Sequence, residues 1–214
     1  SVINAYLGAP LETDYYYLVL TRRKQMEFTD FYQESRQYHE NTYENIKWTT
    51  YPKFDRKTKD NKLDSIFCNE TISPVHISSV EKKFMVSRNE FFIAATLLAI
   101  AINTNKNDVQ VSWVYNGRDD LASKSSVGLL CRELSAALRL RDKTDLRDIF
   151  TEIHNQVRDG IKYSCYPYMA TIPQDENGDI ACVLYQRDIS EADDFEGMNV
   201  KKVEVAHNDA AAQS

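Results

Sequence analysis

The sequence has no C-x-x-C pair: its four cysteines, Cys68, Cys131, Cys165 and Cys182, stand far apart. That spacing excludes the common zinc motifs and leaves reduced, buried thiols as the expectation. No apolar run exceeds the twelve residues from Phe91 to Ile102. A bilayer span needs roughly 20, so no membrane segment is expected. No basic-then-apolar segment opens the chain, which points to the cytoplasm. Neither G-x-x-x-x-G-K nor G-x-G-x-x-G occurs among the six glycines, so nothing marks a nucleotide-phosphate cradle. Positive charge is in deficit: 26 Lys and Arg against 32 Asp and Glu give a net charge of -6. An acidic chain repels phosphate backbones, and no nucleic-acid partner is expected. Histidine is scarce too. His39, His76, His154 and His207 are isolated, none with a partner at a spacing that suggests a dyad.

What is present suits one α/β domain or one large lobe. Hydrophobic residues are 43% of the 214, enough to fill a core. Thr13-Asp14 can cap a helix running to about Lys24, with Tyr15, Tyr16, Leu18 and Val19 as its apolar surface. A second helix is predicted over Glu27 to Lys47, where Phe28, Phe31, Tyr32, Ser35, Tyr38, Thr42, Tyr43 and Ile46 recur at threes and fours. His39 lies among its polar residues and is expected to be exposed, while Tyr15 to Tyr17 are expected to be buried. Trp48 to Phe54 and Ser65 to Ser73 read as strands flanking a charged loop, and Ser78 to Met85 as a short helix after a loop carrying His76. Ser87-Arg88-Asn89-Glu90 is a capping box. The apolar run behind it predicts a helix buried over most of its surface. Asp108 to Tyr115 alternates as a strand. A third long helix is expected from Asp145 to Lys162, capped by Thr144, then strands at Ile180 to Gln186 and Met198 to Ala206. The acid pairs Asp119-Asp120 and Asp193-Asp194 read as solvated loop residues, not as metal ligands.

The stretch from Trp113 to Leu134 organises the rest. A strand ends in Asn116-Gly117-Arg118, a polar loop follows, and a second extended run opens at Val127-Gly128. In this order the residues resemble the condensation domain of nonribosomal peptide synthetases, within the chloramphenicol acetyltransferase-like superfamily. That family has a strand ending in Gly-Arg and then a Val-Gly-x-Phe-x-Asn-Thr-Leu-Pro run. Gly128 and Leu134 match it; Leu130, Arg132 and Ser135 depart from Phe, Asn and Pro. Ile3 to Tyr6, the tyrosine-rich segment Asp14 to Tyr43, Phe91 to Arg118 and Ile180 to Asp188 are similar to successive family segments. Tyr163 to Tyr168 is similar to His-Gln-Asp-x-Pro-Phe, although only Pro167 and the aromatic at 168 survive, with Tyr163 in the histidine's place.

The resemblance implies a single chloramphenicol acetyltransferase-like lobe spanning residues 1–214, with a mixed sheet flanked by helices. It implies the C-terminal lobe, because the family's His-His-x-x-x-Asp-Gly motif is not in the sequence and would precede residue 1. The implied activity is amide formation between carrier-bound thioesters. Carrier (thiolation) domains would be the partners, their phosphopantetheine arm the substrate carrier, and no cofactor would be bound directly. This lobe alone is then expected to be inactive, with no catalytic residue of its own. Arg118, with Gly117, would support the active-site loop by pairing with the motif's aspartate, a task suited to a guanidinium's planar fork. Gly128, Tyr163, Pro167 and Tyr168 would belong to the interface or tunnel between lobes. A stand-alone, non-catalytic docking module and a coenzyme A-dependent acyltransferase fragment remain alternatives. An apolar face left by the missing N-terminal lobe would favour self-association.

Overall fold

A computed structural model describes residues 14–44, 46, 68, 70–143, 145–172 and 181–185. Apart from Cys68, Glu70 and Thr71, these belong to one of the chain's two compact units. Its centre is the helix–strand–strand unit that begins at the capping box. Ser87 Oγ accepts from the Glu90 amide at 3.3 Å, and Glu90 Oε2 accepts from the Ser87 amide at 2.6 Å. Two of the helix's unpaired amino-terminal donors are thereby satisfied.

Naming elements in chain order, α1 is Tyr16–Met26, α2 Asp30–Tyr43, α3 Pro74–Phe84 and α4 Arg88–Thr104. Strand β1 (Asp108–Tyr115), short helix α5 (Leu121–Ser125) and strand β2 (Arg132–Arg139) follow. The described chain closes with α6 (Leu146–Lys162), α7 (Tyr168–Thr171) and β3 (Cys182–Val183). The sheet order is β2-β1-β3, with β2 antiparallel and β3 parallel to β1. Helices flank this mixed sheet, the α/β arrangement expected.

Strand periodicity gives the sheet two different faces. Val109, Val111 and Trp113 lie opposite Leu138, Ala136 and Leu134. They pack with Ile93 and Leu97 of α4 and Ile153 of α6. Ile93, Leu97 and Ile153 are fully enclosed, each burial contributing roughly 1.5–3 kcal/mol. The other face carries Gln110, Ser112 and Ser135, all buried, on the same side as Ala137, which packs with Tyr43 of α2 and Tyr168 of α7. Tyr43 donates its hydroxyl to the Ser135 carbonyl at 2.7 Å, and Gln110 bonds the Ser135 hydroxyl. From α6, Gln156 pairs both backbone groups of Ala137, each at 2.8 Å.

Several boundaries differ from the sequence expectation. Helix α2 starts later because the Thr29 hydroxyl caps it by accepting from Tyr32, and Phe28 is left 85% exposed. Helix α3 starts earlier because Pro74, with its preset φ, occupies the first turn; His76 therefore lies on a helix. Asp145, not Thr144, caps α6, its carboxylate accepting from the Arg147 and Asp148 amides. Helix α4 is not buried all round, since Ile102 faces solvent. Tyr15 and Tyr17 are exposed. Cys68, Cys131 and Cys182 are exposed and Cys165 half-buried, all as free thiols. The expected strand over Trp48 to Phe54, its charged loop and the strand over Met198 to Ala206 lie outside the described residues. Cys68 and residues 70–73 carry no strand. Of the strand at Ile180 to Gln186, Cys182–Val183 is described as such. Among the described residues no single helix is long and apolar enough to cross a membrane; α3 and α4 would be together, but a 95° bend separates them.

Candidate functional site

The site builds on the turn that ends β1. Gly117 has φ +65°, a left-handed conformation in which a side chain is strained. It also has no room: a Cβ there would stand 2.1 Å from the Leu130 carbonyl oxygen. The turn is braced by Arg23 of α1, whose guanidinium donates to the Gly117 carbonyl at 2.9 Å and the Leu130 carbonyl at 3.0 Å. Burial and the nearby Arg132 hold the Arg23 pKa below its ordinary value, with Asp119 acting in the opposite sense.

Arg118 follows directly. It donates to the carbonyls of Ser123, Ser126 and Gly128, the last two at 2.7 and 3.0 Å. Three of its five N–H donors are thereby used. Among the described residues Arg118 makes no ion pair. The loop it gathers is not a plain polar connection. Asp120 accepts from the Ser123 amide at 2.7 Å and the Ser123 hydroxyl accepts from the Asp120 amide, a capping box that starts α5. Asp120 also lies 3.7 Å from Arg22. Arg118 and Arg23 take the carbonyls of 123, 126, 128 and 130, and the extended run expected from Val127 begins as a strand only at Arg132, opposite Tyr115, the last residue of β1. At Gly128 the Tyr16 ring occupies the space where a Cβ would be, 2.4 Å away.

Tyr163, Pro167 and Tyr168 gather elsewhere, around α2. Tyr163 ends α6, and its ring stacks on Phe31 and Tyr38, the latter at 4.6 Å. Its hydroxyl donates to Glu34 at 2.9 Å. Burial pushes the Tyr38 phenol up to about 12. Tyr168 stacks on His39 at 5.4 Å, nearly parallel at 8°. Pro167 is exposed and precedes α7. His39 is 1% exposed, contrary to the expected surface position. Its Nε2 meets the Tyr163 carbonyl at 3.2 Å; a carbonyl only accepts, so this nitrogen carries the hydrogen. Nδ1 is then a buried acceptor without a partner among the described residues. Burial lowers the His39 pKa, and the bond to Tyr163 opposes that shift. Arg132 links the two regions: it donates to the Ser164 hydroxyl beside Tyr163 and lies near Arg23 and Asp119.

Sequence reading missed Arg23 and Arg132, which nothing in their local pattern marks. It also missed that His39 continues the Ser35–Tyr43 spacing of four. His154 does have a carboxylate partner, Glu90, at 2.9 Å, but 64 positions away. Among the described residues no group of His, Cys, Asp and Glu could hold a metal ion. A groove of about 800 Å³ runs between α2 and α6, lined by Arg139, Lys143 and Glu152. Within it Lys143 pairs with Glu152, and Arg139 donates to the Thr42 and Glu44 carbonyls.

No protein-family model and no curated protein matches the sequence. Solved structures do match its fold. The first condensation domain of the CDA synthetase aligns over 87% of this chain and 43% of its own, with a TM-score of 0.67 and 11% identity. The condensation domain from Monacolin K polyketide synthase covers 85% of this chain and 44% of its own, at 0.63 and 12%. The starter condensation domain of rhizomide synthetase, in complex with C8-CoA, covers 85% and 43%, at 0.59 and 13%. The fold is therefore that of one lobe of a condensation domain, and the chain spans less than half the length of the domains it matches.

Proposed function

We propose that this chain is the C-terminal lobe of an amide-forming condensation domain and forms one wall of its substrate tunnel. The reaction joins two groups held as thioesters on phosphopantetheine arms of carrier domains. The amine nitrogen of one attacks the thioester carbonyl carbon of the other. A C–N bond forms, the C–S bond breaks, and the arm's thiol leaves with the proton the amine gives up. The histidine that positions or deprotonates the amine belongs to the other lobe.

In this reading Arg118 is a positioning residue. Its carbonyl bonds fix the guanidinium, and the two N–H donors left over serve a carboxylate of the other lobe. Gly117 permits the turn that presents it, while Gly128, Tyr163, Pro167 and Tyr168 belong to the interface and tunnel. Exposed Tyr17, Leu121, Val127 and Leu129 on and beside the packed pair α1 and α5 support a partner-covered face. In the isolated lobe the same side chains favour self-association.

The observation that carries the reading is the match of a whole lobe, 87% of the chain, to condensation domains. The test compares the chain alone with the chain joined to an N-terminal lobe bearing the histidine motif, using two carrier-bound aminoacyl thioesters. Amide product from the pair and none from the lobe alone is the expected result. Product from the lobe alone defeats the proposal. A coenzyme A thioester donor is the second reading, favoured by the C8-CoA complex of the rhizomide domain; replacing the donor carrier with an acyl-coenzyme A in the same assay separates the two.

A further inference from the structure

A cleft of about 400 Å³ lies where the start of α4, the end of β1 and the last turns of α6 meet. Its volume is in the range of small-molecule sites, roughly 300–1,000 Å³. Tyr115, Tyr185, Val157 and Ile161 supply apolar walls, and Glu90 and Asn116 supply polar groups. The Tyr185 ring is held by stacking on Phe92 at 6.0 Å.

Glu90 is unusual in this setting. Its side chain is 8% exposed, and its partners are the Ser87 amide and the His154 ring. Among the described residues, no lysine or arginine pairs with it. The start of α4 offsets part of the charge, about half a unit. Arg158 also lines the cleft, but its guanidinium is held side-on by Asp159 at 2.9 and 3.1 Å. A buried carboxylate beside aromatic and aliphatic walls favours a ligand with one positive charge and an apolar body.

We propose that this cleft binds a small primary amine bearing an aromatic or branched aliphatic group, its ammonium at Glu90 and Asn116 and its body between Tyr185, Tyr115, Val157 and Ile161. The residues named here all lie within one described unit, so the proposal does not depend on a second lobe or on amide chemistry.

The probe is phenylalaninamide, titrated into the isotope-labelled chain and followed by amide NMR shifts. N-acetylphenylalaninamide, with the same body and no charge, is the control. The expected result is saturable shifts at residues 89–90, 115–116 and 185, with the amine binding about tenfold more tightly, as one charge-assisted contact warrants. Glu90→Gln keeps a residue that completes a capping box, so the helix start is retained, and it should abolish the preference for the amine. Tyr185→Ala removes a surface ring and should weaken both probes. Equal binding of the two probes, shifts confined to other parts of the chain, or no shift with either probe overturns the proposal.

Discussion

Arg23 and Gly117 are 94 positions apart and are joined by a hydrogen bond of 2.9 Å, with the same guanidinium nitrogen also reaching the Leu130 carbonyl. Arg23→Ala leaves both carbonyls without their charged donor and should cost about 2–3 kcal/mol. Lysine, a point charge on a flexible stem, should recover only part of that loss. Urea unfolding of the three proteins measures both effects; an alanine variant as stable as the original would show that the brace contributes nothing.

At Gly117 itself, alanine meets both a left-handed φ and the Leu130 oxygen. The strain alone is of order 1–3 kcal/mol, and relieving the clash must move Leu130. Gly117→Ala should therefore lower the urea midpoint and shift the NMR signals of residues 128–132 more than those of α4.

Arg118→Ala should act locally. Its three carbonyl bonds hold the loop from Ser123 to Gly128 and take no part in the core. Hydrogen exchange should quicken across residues 121–130 and stay unchanged in α4 and α6. Unchanged exchange in the loop would remove the argument that Arg118 organises it.

His39 predicts a pH dependence. Burial lowers its pKa in the folded state below the ordinary 6.5, so the folded protein resists a proton that the unfolded chain accepts. Stability from this group is complete above about pH 6.5 and declines as pH falls, until the lowered folded-state pKa is passed. His39→Phe keeps a ring between Tyr43 and Tyr168 and removes the titration. Stability measured as a function of pH should lose its slope just below pH 6.5 in that variant; an unaltered slope would assign the effect to another group.

Much of the fold was legible because the strongest signals are local. The capping box at Ser87 and Glu90 starts α4 as read, and the alternation of Asp108 to Tyr115 gives β1 with the same limits. The extent of α6 was legible as well, although its cap moved by one residue to Asp145. What the pattern could not supply was long-range pairing. Arg23 looks like an ordinary charge near a helix end until the fold brings it to Gly117. His154 has no acid at a suspicious spacing because Glu90 comes from another helix. His39 was misread for a different reason: its neighbours Glu40 and Asn41 suggested a solvated face, although it sits four residues from both Ser35 and Tyr43. The resemblance of Asn116-Gly117-Arg118 to a family turn located the region before any of these contacts was available.

The side-chain amide of Gln156 bonds both the N–H and the C=O of Ala137, just as a neighbouring strand would. With the Tyr43 hydroxyl on the adjacent Ser135 carbonyl, it makes this margin of β2 unavailable as a template. A free edge of alternating donors and acceptors recruits whatever extended chain diffuses past, including another copy of the same protein. Here a stray strand would first have to displace a glutamine and a tyrosine from completed bonds. Replacing Gln156 with leucine would preserve bulk on α6 yet reopen that margin, turning a terminated sheet into one able to grow by accretion.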